Sequence, residues 1–148
     1  MLSAEVKVKK LNPEAKLPTY GTELAAGADL YALPGQAVTI PPHTTVMMHT
    51  GLAMEIPTGY AGLIFARSGL ASKRGLAPAN KVGVVDSDYR GEFMVALHNH
   101  TDEERIVEGG ERIAQLVIVP YLTASFVESE ELSDTVRQAG GFGSTGTK

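Results

Sequence analysis

The chain has 148 residues, 43% of them hydrophobic, and no cysteine, which suits one core rather than two and excludes disulfide frameworks, thiolate catalysis and cysteine-based metal centres. Its net charge of -4 argues against stable nucleic-acid binding or a membrane-surface role, both of which need a basic face. MLSAEVKVKKLNPEA lacks an apolar signal core, and no apolar run approaches the ~20 residues that span a bilayer, so the expectation is a soluble intracellular protein, cytoplasmic or, in a eukaryote, also nuclear.

Glycines and prolines punctuate short β-branched runs along the whole chain, a rhythm that predicts an all-β domain. The first run, VKVKK, precedes AGADLYA at 26–32, where small residues lead into Asp29. An acid in that setting anchors a turn or a hydrogen bond more often than it ligates a metal. QAVTI, the turn PPH at 41–43, TTVMMHTGLAMEI, the turn PTGY at 57–60 and AGLIFA continue the strand pattern, and so many short strands predict a sandwich or jelly-roll barrel.

RSGLASKRGLA at 67–77 is the one central stretch with helical spacing. Where the strand gives way to it, Arg67, Ser68 and Gly69 bring a guanidinium, a hydroxyl and backbone N–H groups to one point, which suits a phosphate. The same residues also read as an ordinary helix start capped by Ser68. Next, KVGVVDSDYRGE at 81–92 runs an apolar strand into two carboxylates, an aromatic and a turn at DYRG. Asp86 is the candidate base because a carboxylate at a strand edge can orient a water, whereas Asp88 lies within the turn; two solvated turn acids are the alternative.

EFMVALHN and RIAQLVIVPYL complete the strands. In GGERIAQLVI at 109–118 a regular strand would put Arg112 and Gln115 on opposite sides, one reaching a site and the other making a structural bond. The apolar run there exceeds what one strand face needs, which favours an oligomer. His43, His49, His98 and His100 form no familiar ligand pattern and are assigned no chemistry. SEELSDTVRQ at 129–138 reads as a turn of helix or a linker, and the chain closes on AGGFGSTGTK, glycines around a lone Phe142.

Together and in this order, AGADLYA, ARSGLA, NKVGVVDSDYRGE, GGERIAQLVI and RQAGGFGSTG resemble the five motifs of the homotrimeric dUTPase family, the dUTP diphosphatases, across residues 26–146. One departure is Ala66, where many relatives carry proline; it bears on loop rigidity rather than on the chemistry. The resemblance implies a dUTPase-like jelly-roll, β-clip barrel with one short helix, spanning residues 1–136, and a flexible glycine-rich arm over 137–148. It implies a homotrimer whose three sites are each built from all three chains, and hydrolysis of dUTP to dUMP and pyrophosphate with Mg²⁺. Such an activity limits uracil incorporation into DNA and supplies dUMP for thymidylate synthesis.

Carried onto this sequence, Asp86 resembles the general base and Gln115 the residue beside the α-phosphate and its attacking water. Arg67, Ser68 and Gly69 resemble phosphate binders, and Asp29 an outer-shell partner of the metal through water. Backbone of the 80–91 hairpin around Gly83 and Val85, with the Asn80 amide, would pair with uracil's edge, and Tyr89 would lie beneath the deoxyribose. Arg137, Phe142, Gly143, Ser144 and Thr145 resemble the closing arm, Phe142 stacking on uracil and the others reaching the terminal phosphates. Two other readings stand beside this one: a dCTP deaminase, which shares the fold, and a regulatory nucleotide-binding protein that has lost turnover.

Overall fold

A computed structural model describes residues 2–147. Among the described residues there are eleven strands and one short helix, the expected all-β class. The strands form three sheets rather than one closed barrel.

The first sheet has the order β1-β5-β9-β7, with β1 at Lys7–Lys10, β5 at Thr45–Glu55, β7 at Leu76–Pro78 and β9 at Glu92–Asn99. In β9 every second residue is buried, Phe93, Val95, Leu97 and Asn99, as period-2 alternation dictates for a strand with one face on a core. The second sheet pairs β4, Val38–Ile40, with β10, Arg105–Val107. The third has the order β2-β3-β11-β6-β8, formed by Thr19–Tyr20, Ala28–Tyr31, Arg112–Pro120, Tyr60–Phe65 and Gly83–Val85 respectively. Phe93, Leu30, Ile40, Leu52, Leu97 and Ile113 fill the space between the sheets.

The helix α1, Ser68–Arg74, lies where helical spacing predicts it. Its C-terminal end is closed by Gly75 at φ 65°, whose N–H bonds back to Ala71, a left-handed stop that glycine adopts without penalty. Two expectations shift. The DYRG turn forms instead at Asp86–Tyr89, where the Tyr89 N–H bonds the Asp86 carbonyl at 3.2 Å, so Gly91 already leads into β9. SEELSDTVRQ shows no helix; it is exposed and irregular, because its apolar residues are too sparse to bury one face.

The last strand ends at Pro120, and residues 121–139 are exposed throughout. Leu122, Phe126, Val127, Leu132 and Val136 therefore bury almost nothing against their own chain.

One buried polar residue ties the two-stranded sheet to the four-stranded one. Asn99 donates to the carbonyls of Ile40 at 3.0 Å and Glu103 at 2.7 Å and accepts from the Thr101 N–H and hydroxyl. Replacing it removes a bond from each of these four groups, of which the Glu103 carbonyl and the Thr101 hydroxyl keep one with each other, at 3.0 Å; buried polar groups left short of partners cost more than the bonds themselves contribute. Asn99→Leu is expected to lower unfolding free energy by about 3 kcal/mol, measured by chemical denaturation at fixed protein concentration.

Candidate active site

Strand β11 is paired on both edges, so Gln115 stands opposite Asp29 of β3 and Phe65 of β6. Just past Phe65 the chain stays extended through Arg67, at φ −89° and ψ 130°, before turning into α1. Three predicted residues thus meet at one end of the sheet. Arg67 donates from Nε to Asp29 Oδ1 at 2.8 Å, and Arg112 donates from Nη1 to Oδ2 at 3.4 Å. The Asp29 side chain is only 13% exposed, a position a carboxylate holds when its charge is matched. With Nε committed, Arg67 still has its terminal nitrogens to offer an anion.

Gln115 is fixed from two sides. Its Nε2 donates to the Ala66 carbonyl at 2.8 Å, while a Cβ at Gly27 would fall within 2.3 Å of its Oε1. Gly27 is therefore glycine because the Gln115 amide occupies the space a side chain would need. Sequence reasoning missed it; the signal was the small-residue run preceding Asp29.

Ser68 and Gly69 begin α1 and are exposed. The capping alternative does not hold: the N-cap position is Arg67, with no side-chain cap bond. A Cβ on Gly69 would meet nothing within 4 Å, so the chain's own packing does not require glycine there. The expected opposition of Arg112 and Gln115 is also corrected. The register slips between Arg112 and Ala114, a bulge that reverses the alternation and brings both side chains to the Asp29 cluster. Asp29 itself is a brace for two arginines.

The other predicted residues gather on β8 and its flanks. Lys81 takes φ 66° in a tight bend, its N–H bonded to Pro78 and the Val82 N–H to the Asn80 carbonyl. Gly83 lets the Asn80 amide lie close, since a Cβ there would stand 3.3 Å from Asn80 Nδ2. Val85 ends β8, and Asp86 follows, exposed, its carbonyl closing the turn with Tyr89. The Tyr89 hydroxyl donates to the Glu92 carbonyl at 2.9 Å.

The two groups do not meet within one chain. Strand β8 runs antiparallel to β6 with Ile64 opposite Gly83 and Gly62 opposite Val85, so Asp86 emerges beside Ala61 while Arg67 lies beyond the other end of β6. Six extended residues separate these points, about 20 Å, farther than the three phosphates of a nucleotide reach. Arg137, Phe142, Gly143, Ser144 and Thr145 lie apart from both, in a run of turns where Arg137 donates to the Gly140 carbonyl and Phe142 is fully exposed at φ 50°.

The histidines stay outside these groups. His98 and His100 pack edge-on at 4.6 Å, and His98 titrates below the ordinary histidine value, first through desolvation and then through His100, His43 and Lys81. Among the described residues no group of three or more His, Asp or Glu side chains forms a metal cage, and no helix is long and apolar enough to cross a membrane.

The dUTPase family model matches residues 13–146. The chain is 52% identical over 141 residues to the deoxyuridine 5'-triphosphate nucleotidohydrolase of Hydrogenobaculum sp. strain Y04AAS1, covering 95% of this chain and 97% of that one. It is 50% identical over 149 residues to the enzyme of the same name from Desulfitobacterium hafniense strain DCB-2, covering 99% of each. Among solved structures it is similar to the dUTPase of Staphylococcus bacteriophage 80alpha with dUPNHPP, with a TM-score of 0.89 and 30% identity over 98% of this chain and 100% of that one.

The Asp29 brace has a measurable asymmetry. Asp29→Ala, which strands two guanidiniums, is expected to cost about 2 kcal/mol of stability. Arg112→Gln, which removes the longer bond from a half-exposed side chain, is expected to cost about 0.5 kcal/mol. Denaturant titrations of both variants check the ordering.

Proposed function

The chain belongs to the dUTPase family, and from that premise we propose that it hydrolyses dUTP to dUMP and pyrophosphate at sites shared between copies of itself. The observation that carries this reading is the distance between Asp86 and Arg67 along β6, about 20 Å by register. A base and a phosphate cradle so far apart serve one substrate only when they come from different chains.

Oligomerisation supplies the missing proximity. The exposed apolar residues Leu122, Phe126, Val127 and Leu132 need a partner surface. A groove of about 740 Å³ lined by Val6, Val8, Leu17, Met54 and Ile118 offers a surface of matching kind. A homotrimer provides both and closes the arrangement around a threefold axis.

In the proposed step Asp86 takes a proton from a water, whose oxygen forms a bond to the α-phosphorus. The bond from that phosphorus to the oxygen bridging it to the β-phosphorus breaks, and its electron pair leaves with pyrophosphate. Arg67, already aimed by Asp29, meets the charge that develops on the phosphate oxygens at little reorganisation cost. Ser68 adds a hydroxyl, and the open space at Gly69 admits close approach of a phosphate to the backbone. Gln115, pinned between Ala66 and Gly27, holds its amide beside the α-phosphate and attacking water.

The residues present fit Mg²⁺ carried on the phosphates rather than caged by protein, because Asp29, the carboxylate bonded to Arg67, already accepts from two guanidiniums. When bound, the ion neutralises triphosphate charge and so admits the nucleophile.

Base selection falls to backbone of the Gly83–Val85 strand with the Asn80 amide, which match uracil's acceptor, donor, acceptor edge and leave cytosine unpaired. Tyr89 lies beneath the sugar, where a 2′-hydroxyl finds no room. The arm, residues 137–148, closes over the nucleotide: its glycines allow the fold, Phe142 stacks on uracil, and Arg137, Gly143, Ser144 and Thr145 reach the terminal phosphates. In the cytoplasm this activity keeps uracil out of DNA and provides dUMP for thymidylate synthesis.

With Mg²⁺ and dUTP, dCTP, dTTP and UTP in parallel, chromatography is expected to show dUMP and pyrophosphate from dUTP alone. Ammonia from dCTP would move the protein to the deaminases, and binding without turnover to the regulatory class. Asp86→Asn is expected to bind dUTP and to lose about 10³-fold or more in kcat. Shared sites predict complementation: inactive Asp86→Asn and Arg67→Ala chains, unfolded and refolded together, are expected to regain about a quarter of wild-type activity by random mixing. No recovery in verified mixed oligomers would place base and cradle in one chain.

A further inference from the structure

Gly91 follows the Asp86–Tyr89 turn, yet its φ is not in the left-handed region that only glycine enters freely. Its backbone would accept any L-residue. What forbids a side chain is Tyr89, because an added Cβ would lie 2.4 Å from the Tyr89 hydroxyl oxygen, 2.6 Å from Cζ and 3.0 Å from Cε2. The ring is folded back over the main chain of Gly91.

The ring is also anchored beyond Gly91. Its hydroxyl donates to the Glu92 carbonyl at 2.9 Å, and its ring sits 6.1 Å from that of Phe93 at 46°. Phe93 is core, 1% exposed. The Glu92 carboxylate accepts from the Gly51 N–H at 2.9 Å and pairs with His49 at 2.9 Å, which ties this turn to β5 where its register with β9 shifts.

We infer that Gly91 is a positioning residue for sugar selection: by having no side chain it lets Tyr89 lie flat, and so sets the height at which the nucleotide's sugar must sit. This rests on the reading that the chain acts on dUTP with Tyr89 beneath the deoxyribose. A methyl group at position 91 must move the ring by about 1 Å to reach ordinary contact distance. Rotation of Tyr89 is the cheap relief, since the ring is half-exposed and the backbone stays put. The rotated ring gives up its bond to Glu92 and its fixed height, and a floor at the wrong height no longer tells a 2′-hydrogen from a 2′-hydroxyl.

The experiment measures kcat/KM for dUTP and UTP on the full-length protein and on Gly91→Ala, Tyr89→Leu and the double variant, with melting temperatures alongside. Gly91→Ala is expected to narrow the dUTP to UTP ratio about tenfold while remaining folded, and to add nothing to the ratio in the Tyr89→Leu background. Equal loss on both nucleotides, or full additivity with Tyr89→Leu, would overturn the inference. Should Gly91→Ala fail to fold, Tyr89→Phe, which removes only the bond to Glu92, is expected to narrow the ratio partway, and an unchanged ratio there would overturn the anchoring. A readout independent of turnover is the proton NOE between the Tyr89 and Phe93 rings, expected in the wild type and lost in Gly91→Ala; its persistence in that variant counts against the inference. Absence of dUTP hydrolysis by the wild type would instead sink the functional reading and leave the NOE result standing.

Discussion

The double pairing of β11 is the constraint on which the Asp29, Arg67 and Gln115 cluster depends. Because β3 and β6 ladder onto its two edges, Gln115 is locked opposite both Asp29 and Phe65. One strand thereby sets the lateral spacing of an acid, an amide and the arginine that follows β6. A one-residue slip would turn every side chain of β11 to the other face. The bulge after Arg112 uses that same sensitivity constructively, because a single local shift recruits a second arginine to Asp29.

Most of the strand framework was legible because burial follows period 2. VKVKK, QAVTI, KVGVV, EFMVALHN and RIAQLVIVPYL each contain an observed strand, and AGLIFA covers all but the first residue of one. The strands not foreseen, at Thr19–Tyr20, Ala28–Tyr31, Leu76–Pro78 and Arg105–Val107, are two to four residues long, too short to show clear alternation, and exist through their pairing partners. The helix was visible from its spacing. The slip in β11 was not, since a bulge is set by the neighbouring strand as much as by local residues.

At the site, residue types were legible and distances were not. Arg67 and Ser68 could be named from ARSGLA, but that Asp29 would be spent on bracing Arg67 and Arg112 depends on pairing across 38 and 83 residues. Gly27 and Gly91 were hidden for a related reason. Each is glycine for the sake of another side chain, Gln115 in one case and Tyr89 in the other, and a glycine of that kind has no signature in its own backbone.

The exposed stretch of residues 121–139 has a consequence for the life of the chain. The chain carries Phe126, Val127 and Leu132 in the open, in an irregular segment of the kind that proteases thread and cut most readily. Anything that bound and covered that segment would slow its cleavage, so survival would follow the occupancy of this surface. Copies in which that segment stays uncovered would be the first to be cut.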